Sequence, residues 1–509
     1  MKSKIIRLVS VVMALVITMQ VSLCLDVSAK KKTCSCKNIP IVYIRGRSTI
    51  HMDKDAPSDE NNPSLPDVSD AEIAKAVVKI MPKYLLGLLT NNYKKFAEAF
   101  VDVFEEIFYY YGLDENGEPR GNTGTFWNWK KLKLTDSHKN KFDYNDHEST
   151  RDYMYQYFYH YDCRIDPFVI AKDLHDYISE VKKVTGHNKI RLVARCMGGA
   201  IMTTYLYLYG AEDIESIVSY NSIVNGTITT DDLFRGKLKF DPDTAELFLK
   251  DYSTQEDDNG LRMIYKVISV MNKMNILDGL LNSFNKTAAD IYPMTVPAMV
   301  RSSYGSMPAF WACIDPDCYD EAKKYVFGGV ENEYKNLIKK IDKYHEKVGK
   351  HINEIYKKAE KQGARVCTVT KFGCQMIPIS EESGNLQGDD IASLEGQSFG
   401  AYSAPVGERL TSIYYVKSML TETKKYISPD KTVDASTALF PDTSWFVRDI
   451  AHNDYPSVMY SLVLRIARGD IKTVWDNKNF PQYMVYDKNN QTVLPMSVEN
   501  NNIDNRLMK

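Results

Sequence analysis

Continuous runs of apolar residues recur along this chain, separated by longer stretches in which apolar positions follow a helical spacing. The first run, at 39–44, is β-branched and ends at Gly46, which is typical of a buried strand. Similar runs follow at 190–193, 214–220, 365–370 and 444–450. Strands that alternate with helices predict an α/β fold with a mostly parallel sheet covered by helices on both faces.

Helical spacing is clearest between Asp166-Pro167 and Gly186, where apolar residues recur at Ile170, Leu174, Ile178 and Val181. Proline at a first helical position and glycine after the last are common helix boundaries. Another helix is predicted to start near Gly198. A long amphipathic helix is predicted from Leu337, Ile341, Val348, Ile352 and Ile355, with Gly363 at its end.

Two segments depart from this alternation. Residues from about 50 to 150 contain a polar loop and then a helical pattern interrupted by Pro82, so we interpret them as a helical insertion after an early strand. Residues from about 227 to 335 are rich in Met, Tyr, Phe and Trp. This region is interpreted as a cap or lid over an acyl pocket, although plain packing within the cap explains the composition equally well.

The N-terminus has the features of a secretory signal peptide. Lys2, Lys4 and Arg7 precede an apolar run, and Val27 and Ala29 are small residues at the positions that favour cleavage. We therefore expect a signal peptide at 1–29 and a secreted single domain at 30–509. An uncleaved N-terminal membrane anchor is the alternative, because the apolar run is long for a signal peptide.

Composition narrows the class of protein. Of 509 residues, 44% are hydrophobic and 26% charged, with a formal net charge of −2, which predicts a large core and no nucleic-acid partner. The chain has nine cysteines, of which cleavage after Ala29 would remove Cys24, and export would permit disulfides among the remaining eight. By spacing, the nearest pairs are Cys313 with Cys318 and Cys367 with Cys374.

The main candidate for chemistry is Cys196, in the stretch Ala194-Arg195-Cys196-Met197-Gly198-Gly199 between a predicted strand and a predicted helix. In α/β-hydrolases the nucleophile occupies this kind of turn, in G-x-S-x-G, where small neighbours let the backbone expose the side chain. A cysteine is itself a competent acyl-transfer nucleophile when a base takes its proton. The alternative is a small buried side chain with no catalytic role.

A base and an acid are expected to follow in the order nucleophile, acid, histidine. His452 comes directly after the strand at 444–450, which we interpret as the final strand. Asp430 is the favoured acid, because it lies in a loop shortly before that strand. Asp389 and Asp390 are competing choices, and Asp434 is a weaker third.

Acyl transfer also requires two backbone N–H groups to stabilise the oxyanion. Met197 follows the nucleophile and is expected to give one. The loop after the early strand, IRGRST at 44–49, is expected to give the other through Arg47.

These segments resemble secreted lipases and esterases of the α/β-hydrolase fold, including the lecithin cholesterol acyltransferase type. The resemblance is carried by IPIVYIRGRS at 39–48, YDCRIDP at 161–167 and LVARCMGGA at 192–200. The chain departs from the family pattern where Cys196 replaces serine, Cys163 tryptophan, Ala194 glycine and Arg45 histidine.

The resemblance implies a carboxylic ester hydrolase with a Cys196, His452 and Asp430 triad and no metal or organic cofactor. Its expected substrate is a lipid or a small ester, with transient contact to a membrane or lipid surface. Two alternatives stay open: an acyltransferase to an acceptor other than water, and a non-catalytic binding or surface protein on a decayed hydrolase scaffold.

Overall fold

The structure, a computed structural model, describes residues 38–56, 61–66, 69–126, 129–130, 156–255, 259–274 and 276–497. The predicted signal peptide at 1–29, together with Cys34 and Cys36, lies outside the described residues. Within the described ranges no helix combines the length and the apolarity needed to cross a membrane.

One eight-stranded sheet forms the centre of the fold. Its strands are β1 Ile41–Ile44, β2 Gln156–Tyr159, β3 Ile190–Cys196, β4 Ile214–Ser222, β5 Arg365–Phe372, β6 Ser444–Arg448, β7 Tyr483–Asp487 and β8 Thr492–Pro495. Their order in the sheet is β8-β7-β6-β5-β4-β3-β1-β2. All neighbouring strands are parallel except β7 and β8, which are antiparallel.

Helices of eight or more residues connect these strands and cover the sheet. They are α1 Asp70–Thr90, α2 Lys94–Phe108, α3 Pro167–Thr185, α4 Gly198–Tyr209, α5 Ile228–Arg235, α6 Pro242–Gln255, α7 Asn259–Lys273, α8 Ile276–Ser302, α9 Tyr319–Phe327, α10 Lys335–Lys347, α11 Ile352–Lys361, α12 Ser412–Met419 and α13 Ser457–Arg468. Shorter helical turns include Pro308–Trp311, Glu381–Asn385 and Leu394–Ser398.

The two faces of the sheet are buried in separate apolar clusters. On β3, Leu192 and Ala194 join the cluster that contains residues of α3 and α4, whereas Val193 joins the cluster that contains residues of α13. This follows from the alternation of side chains along a strand. The α/β class and the mostly parallel sheet predicted from the apolar runs are therefore confirmed.

Helix α3 has the boundaries that the sequence predicts. The Asp166 carboxylate accepts a hydrogen bond from the Phe168 N–H at 2.8 Å and caps the first turn. Gly186 ends the helix in the left-handed conformation, with φ of 71°. The predicted helix start at Gly198 is likewise confirmed.

Two helical predictions need correction. Helix α1 continues through Pro82; Val78, whose carbonyl loses its partner there, is 74% exposed, so water can solvate that carbonyl. The single long helix predicted around 337–355 is instead α10 and α11, separated by a 3-10 turn at Gly349–His351. Glycine has a low helix propensity, which accounts for a break at this point.

The strand at 444–448 is not the final one, contrary to the sequence interpretation. Strands β7 and β8 follow it and extend the sheet at its β6 edge. At the other edge, β2 pairs with β1. Its sequence, QYFY, is rich in the aromatic residues that strands favour.

Candidate active site

Cys196 lies at a sharp turn between the central strand β3 and helix α4. Its φ is 51°, in the left-handed region that residues other than glycine rarely adopt. The strand ends at Cys196 and the helix begins two residues later, at Gly198. A strained turn of this kind between a strand and a helix exposes its side chain at the carboxyl end of the strand.

Glycines let neighbouring backbone approach this turn. A Cβ at Gly46, in the loop after β1, would lie 2.7 Å from Cys196 Cβ and 3.3 Å from Cys196 Sγ. A Cβ at Gly198 would lie 2.6 Å from the backbone oxygen of Arg45. The loop after β1 therefore packs directly against the thiol.

His452 lies in the loop between β6 and α13 and is almost fully buried. Its Nδ1 is 2.9 Å from Asp389 Oδ2, so Nδ1 carries the proton of that hydrogen bond. Nε2 has no nitrogen or oxygen partner among the described residues, and the ring interacts with the Cys196 thiol. The three side chains thus form a thiol, imidazole and carboxylate series.

Asp389 is fixed from both sides of its carboxylate. Oδ1 accepts the backbone N–H of Ala392 at 2.8 Å, while Oδ2 faces His452. The backbone N–H of His452 also donates to the carbonyl oxygen of Asp389 at 2.7 Å. Both the acid and the loop that carries the histidine are therefore held in one orientation.

Asp430, the acid favoured from the sequence, does not contact His452, and that pairing is wrong. Its carboxylate forms a buried ion pair with Arg448, at 3.0 Å from Nη1. It also accepts hydrogen bonds from the hydroxyls of Ser428 at 2.6 Å and Thr432 at 2.8 Å. Asp430 thus has a structural role as the buried ion-pair partner of Arg448.

The other two alternatives also lie apart from the histidine's hydrogen bonds. Asp434 accepts the Tyr414 hydroxyl at 2.9 Å. Burial and the adjacent Asp389 charge raise the pKa of Asp390 to about 7. Asp389, a competing choice from the sequence, is the carboxylate that binds His452.

Asn221, at the end of β4, is a site residue that sequence reasoning missed. Its Nδ2 donates to Asp389 Oδ2 at 2.9 Å and to the backbone oxygen of His452 at 3.2 Å. Its φ of 49° is left-handed, which asparagine tolerates better than most residues. The only signal in the sequence is a polar residue at the end of an apolar strand, next to the nucleophile strand.

Lys371, on β5, was missed as well. Its ammonium group is buried and donates to the backbone oxygens of Ala451 at 3.2 Å, His452 at 3.1 Å and Asp454 at 2.5 Å. It also lies 4.2 Å from the ring centroid of Tyr455. Lys371 therefore stabilises the position of the loop that carries His452.

The site favours a thiolate and imidazolium pair. Burial alone would keep the Cys196 thiol neutral, but the His452 imidazole and the Met197 N–H outweigh burial and lower the thiol pKa. Burial likewise disfavours a charged His452, yet Asp389 and Cys196 outweigh it and raise the imidazole pKa. A base-activated cysteine nucleophile requires these two directions of shift.

One of the two predicted oxyanion donors lies at the thiol. The Met197 N–H, just before α4, lies near enough to the Cys196 sulfur to lower the pKa of the thiol. For Arg47 the structure shows a side-chain contact, with the guanidinium 5.4 Å from the ring centroid of Tyr111. The Arg47 backbone as second donor stays a prediction.

The two cysteine pairs that lie nearest by spacing do not form disulfides. Cys313, Cys318, Cys367 and Cys374 are all free. Cys367 lies within β5 and Cys374 follows that strand. Five residues of extended chain span roughly 16 Å, well beyond the distance of about 7 Å that a disulfide allows between Cα atoms.

In the described part of the chain, no group of three or more His, Cys, Asp or Glu side chains is arranged to hold a metal ion.

Comparison with protein-family models found no match, and no curated protein matches the chain. One solved structure, described as the crystal structure of the Tle4-Tli4 complex, is 16% identical over 39% of this chain and 48% of that chain, with a TM-score of 0.17. The match spans about half of that chain's length, and a TM-score this low bears on neither fold nor function.

Proposed function

We propose that this protein is a carboxylic ester hydrolase of the α/β-hydrolase fold, with Cys196 as nucleophile, His452 as base and Asp389 as the residue that orients the histidine. The observation that carries the proposal is the left-handed Cys196 turn, with its thiol beside a buried His452 that Asp389 holds at 2.9 Å. Met197 would supply one oxyanion donor and Arg47 the other.

The placement of these residues in the sheet supports the proposal. The nucleophile strand β3 lies between β1 and β4, and the acid and the histidine follow β5 and β6. The chain order Cys196, Asp389, His452 is the order nucleophile, acid, histidine found in α/β-hydrolases.

In the proposed reaction, the Cys196 thiolate attacks the ester carbonyl and forms a C–S bond. The Met197 N–H stabilises the negative charge that develops on the carbonyl oxygen. Collapse of this intermediate breaks the C–O bond, and the His452 imidazolium gives its Nε2 proton to the leaving alkoxide. Water then attacks the thioester while His452 accepts its proton, so that the carboxylic acid and the thiolate are released.

The substrate in this proposal is a lipid or small ester, acted on outside the cell after removal of residues 1–29. The basic and apolar pattern of that segment supports export. N-terminal sequencing of the exported chain tests this part: the expected first residue is Lys30, and a chain that still begins at Met1 would indicate an anchor.

Hydrolysis of p-nitrophenyl esters, from short to long acyl chains, tests the chemistry. We expect turnover by the wild-type chain and none by Cys196→Ala, while Cys196→Ser should be much slower because His452 and Met197 are arranged around a thiolate. Cys318→Ala is the matched control, since Cys318 is also a half-buried free thiol.

Mass spectrometry should detect an acyl group on Cys196, and hydroxylamine should remove this group by cleaving the thioester. Hydrolysis by Cys196→Ala at the wild-type rate would contradict the proposal. Equal, negligible rates in all variants would instead favour a non-catalytic scaffold, and product transferred to an added alcohol would favour an acyltransferase.

A further inference from the structure

A large apolar cavity lies between the helices of the insertion and helix α8. Its volume is about 810 Å³, within the range of sites that enclose one small molecule. Helices α1 and α2 form one wall, with residues such as Tyr84 and Phe100, and α8 forms the other, with residues such as Ala288 and Val296. Cys196 is not among the lining residues.

The chemistry of the lining is uniform. No lining side chain in the described part of the chain carries a charge, and its polar groups are hydroxyls of Thr, Ser and Tyr. A charged or strongly polar ligand would lose its hydration here without a compensating ion pair. The cavity therefore suits a hydrocarbon.

The spacing of the aromatic residues along α2 indicates a long ligand. Phe96, Phe100 and Phe104 line it from successive turns of α2, and eight residues of helix extend roughly 12 Å. The Phe96 and Phe100 rings are stacked, with centroids 5.7 Å apart, so aromatic rings form a strip along this wall. An unbranched chain can lie along such a strip, whereas a compact polycyclic ligand would contact only part of it.

Packed side chains connect the cavity lining with the candidate active site. Tyr304 lines the cavity, and its ring centroid is 4.6 Å from that of Phe310. Phe310 and Cys196 pack against the same small apolar cluster. At the outer side, Met81 and Leu88 line the cavity and are also exposed, at 47% and 50%, so the cavity is reached from an apolar surface of α1.

We infer that this cavity binds the hydrocarbon chain of one long, unbranched amphiphile, at a site separate from Cys196. The inference does not depend on hydrolysis, because the lining residues and the catalytic candidates are different side chains. Binding should increase with chain length, since each additional buried methylene removes more apolar surface from water.

Binding is tested with the fluorescent fatty acid cis-parinaric acid and the full-length chain carrying Cys196→Ala, which separates binding from turnover. We expect saturable fluorescence enhancement that palmitate reverses and hexanoate does not. Ala288→Trp, which fills the cavity from a buried position on α8, should weaken binding about 10-fold or more. Val78→Trp introduces the same side chain on the exposed face of α1, outside the lining, and should leave binding unchanged.

Circular dichroism and thermal melting establish that each variant is folded. If Ala288→Trp does not fold, Val296→Phe makes a smaller change on the same wall. Binding that is insensitive to the cavity variants, or that Val78→Trp abolishes, would overturn the inference in favour of adsorption to the exposed face of α1. Equal displacement of cis-parinaric acid by palmitate and by hexanoate would also overturn the inference, whatever the cavity variants show.

Discussion

Asp389 Oδ2 lies 2.9 Å from His452 Nδ1, and the two residues are also joined through the backbone, with the His452 N–H 2.7 Å from the Asp389 carbonyl oxygen. Both side chains are almost fully buried, at 0% and 1% exposure. A buried carboxylate on Nδ1 fixes the tautomer of the ring and leaves Nε2 as the nitrogen available to the Cys196 thiol.

Replacement of Asp389 by Asn should remove most of the activity without unfolding the protein. The amide would no longer stabilise the imidazolium and would favour the wrong tautomer, so we expect kcat/KM to fall about 10³- to 10⁴-fold. Ester hydrolysis per folded molecule, with the folded fraction obtained by circular dichroism, measures this effect.

Asp430→Asn is the matched control, because it makes the same chemical change at an equally buried carboxylate. It breaks the ion pair with Arg448, and loss of one partner of a buried ion pair costs about 3–5 kcal/mol. We therefore expect a lower melting temperature and near-normal activity per folded molecule. The reverse result, with Asp430→Asn inactive and Asp389→Asn active, would restore the acid first expected from the sequence.

Alkylation of Cys196 by iodoacetamide should proceed at a lower pH than for an ordinary thiol. His452 and the Met197 N–H lower the thiol pKa against the opposing effect of burial. In His452→Gln the effect of burial on the thiol pKa is no longer outweighed, so the alkylation midpoint should move to higher pH. Rates against pH, followed by peptide mass spectrometry, give both midpoints.

Cys318 provides the internal control for this experiment. It is a half-buried free thiol, and burial together with Asp231 raises the pKa of Cys318 to about 11. It should react slowly at neutral pH in the wild-type chain and in His452→Gln alike. A Cys196 rate that equals the Cys318 rate at pH 7 would show that the thiol is not activated.

The sequence predicted the central elements of the fold because their signals are local. The apolar runs at β1, β3, β4 and β5 and the caps of α3 depend on neighbouring residues alone. The strands β2, β7 and β8 were missed, since each has only four or five residues and at most half of them are aliphatic. Whether such a segment pairs with a sheet depends on contacts distant in sequence.

Prediction from motif and chain order selected Cys196 and His452, whose side chains interact in the structure, and their catalytic roles belong to the proposal. It failed for the acid, because Asp430 and Asp389 both lie in loops at suitable positions, and only the fold shows that Arg448 takes one of them. Asn221 acts through a left-handed backbone conformation, with φ of 49°, which has no signature in the sequence.

Gly46→Ala should impair catalysis more than stability. The new Cβ would lie 2.7 Å from Cys196 Cβ, so the turn or the loop after β1 must shift, and displacement of a nucleophile by about 1 Å can cost 10²-fold in rate. The destabilisation should stay near 1–3 kcal/mol, as for other overpacked sites. Ester hydrolysis and urea unfolding measure the two effects.

Gly349→Ala is the control for this change. Its Cβ would meet its nearest atom, His345 Nδ1, at 3.7 Å, an ordinary contact, and it should retain full activity. A Gly46→Ala variant as active as Gly349→Ala would mean that the loop after β1 is not held against the thiol.

Lys371→Met should lower kcat/KM about 10- to 100-fold by releasing the His452 loop. The Lys371 Nζ lies within hydrogen-bond distance of three backbone oxygens of that loop, at Ala451, His452 and Asp454, whereas methionine fills a similar volume and donates no hydrogen bond. Lys343→Met is the control, because Lys343 is exposed and lies 3.8 Å from the ring centroid of Phe168 rather than at the site. It should behave as the wild type.

The lowered pKa of Lys371 should make the free energy of unfolding depend on pH. Burial, partly offset by Asp389 and Asp454, lowers the pKa of Lys371 to about 7, while the unfolded chain keeps that proton up to a pKa of about 10.4. Between these values the unfolded state binds more protons than the folded state, so this residue's contribution to the free energy of unfolding increases with pH. Urea unfolding of wild type and Lys371→Met from pH 6 to pH 10 should show the wild type gaining a few kcal/mol relative to the variant. A difference that stays constant over this range would mean that Lys371 keeps its proton in the folded protein and stabilises the loop as a permanent cation.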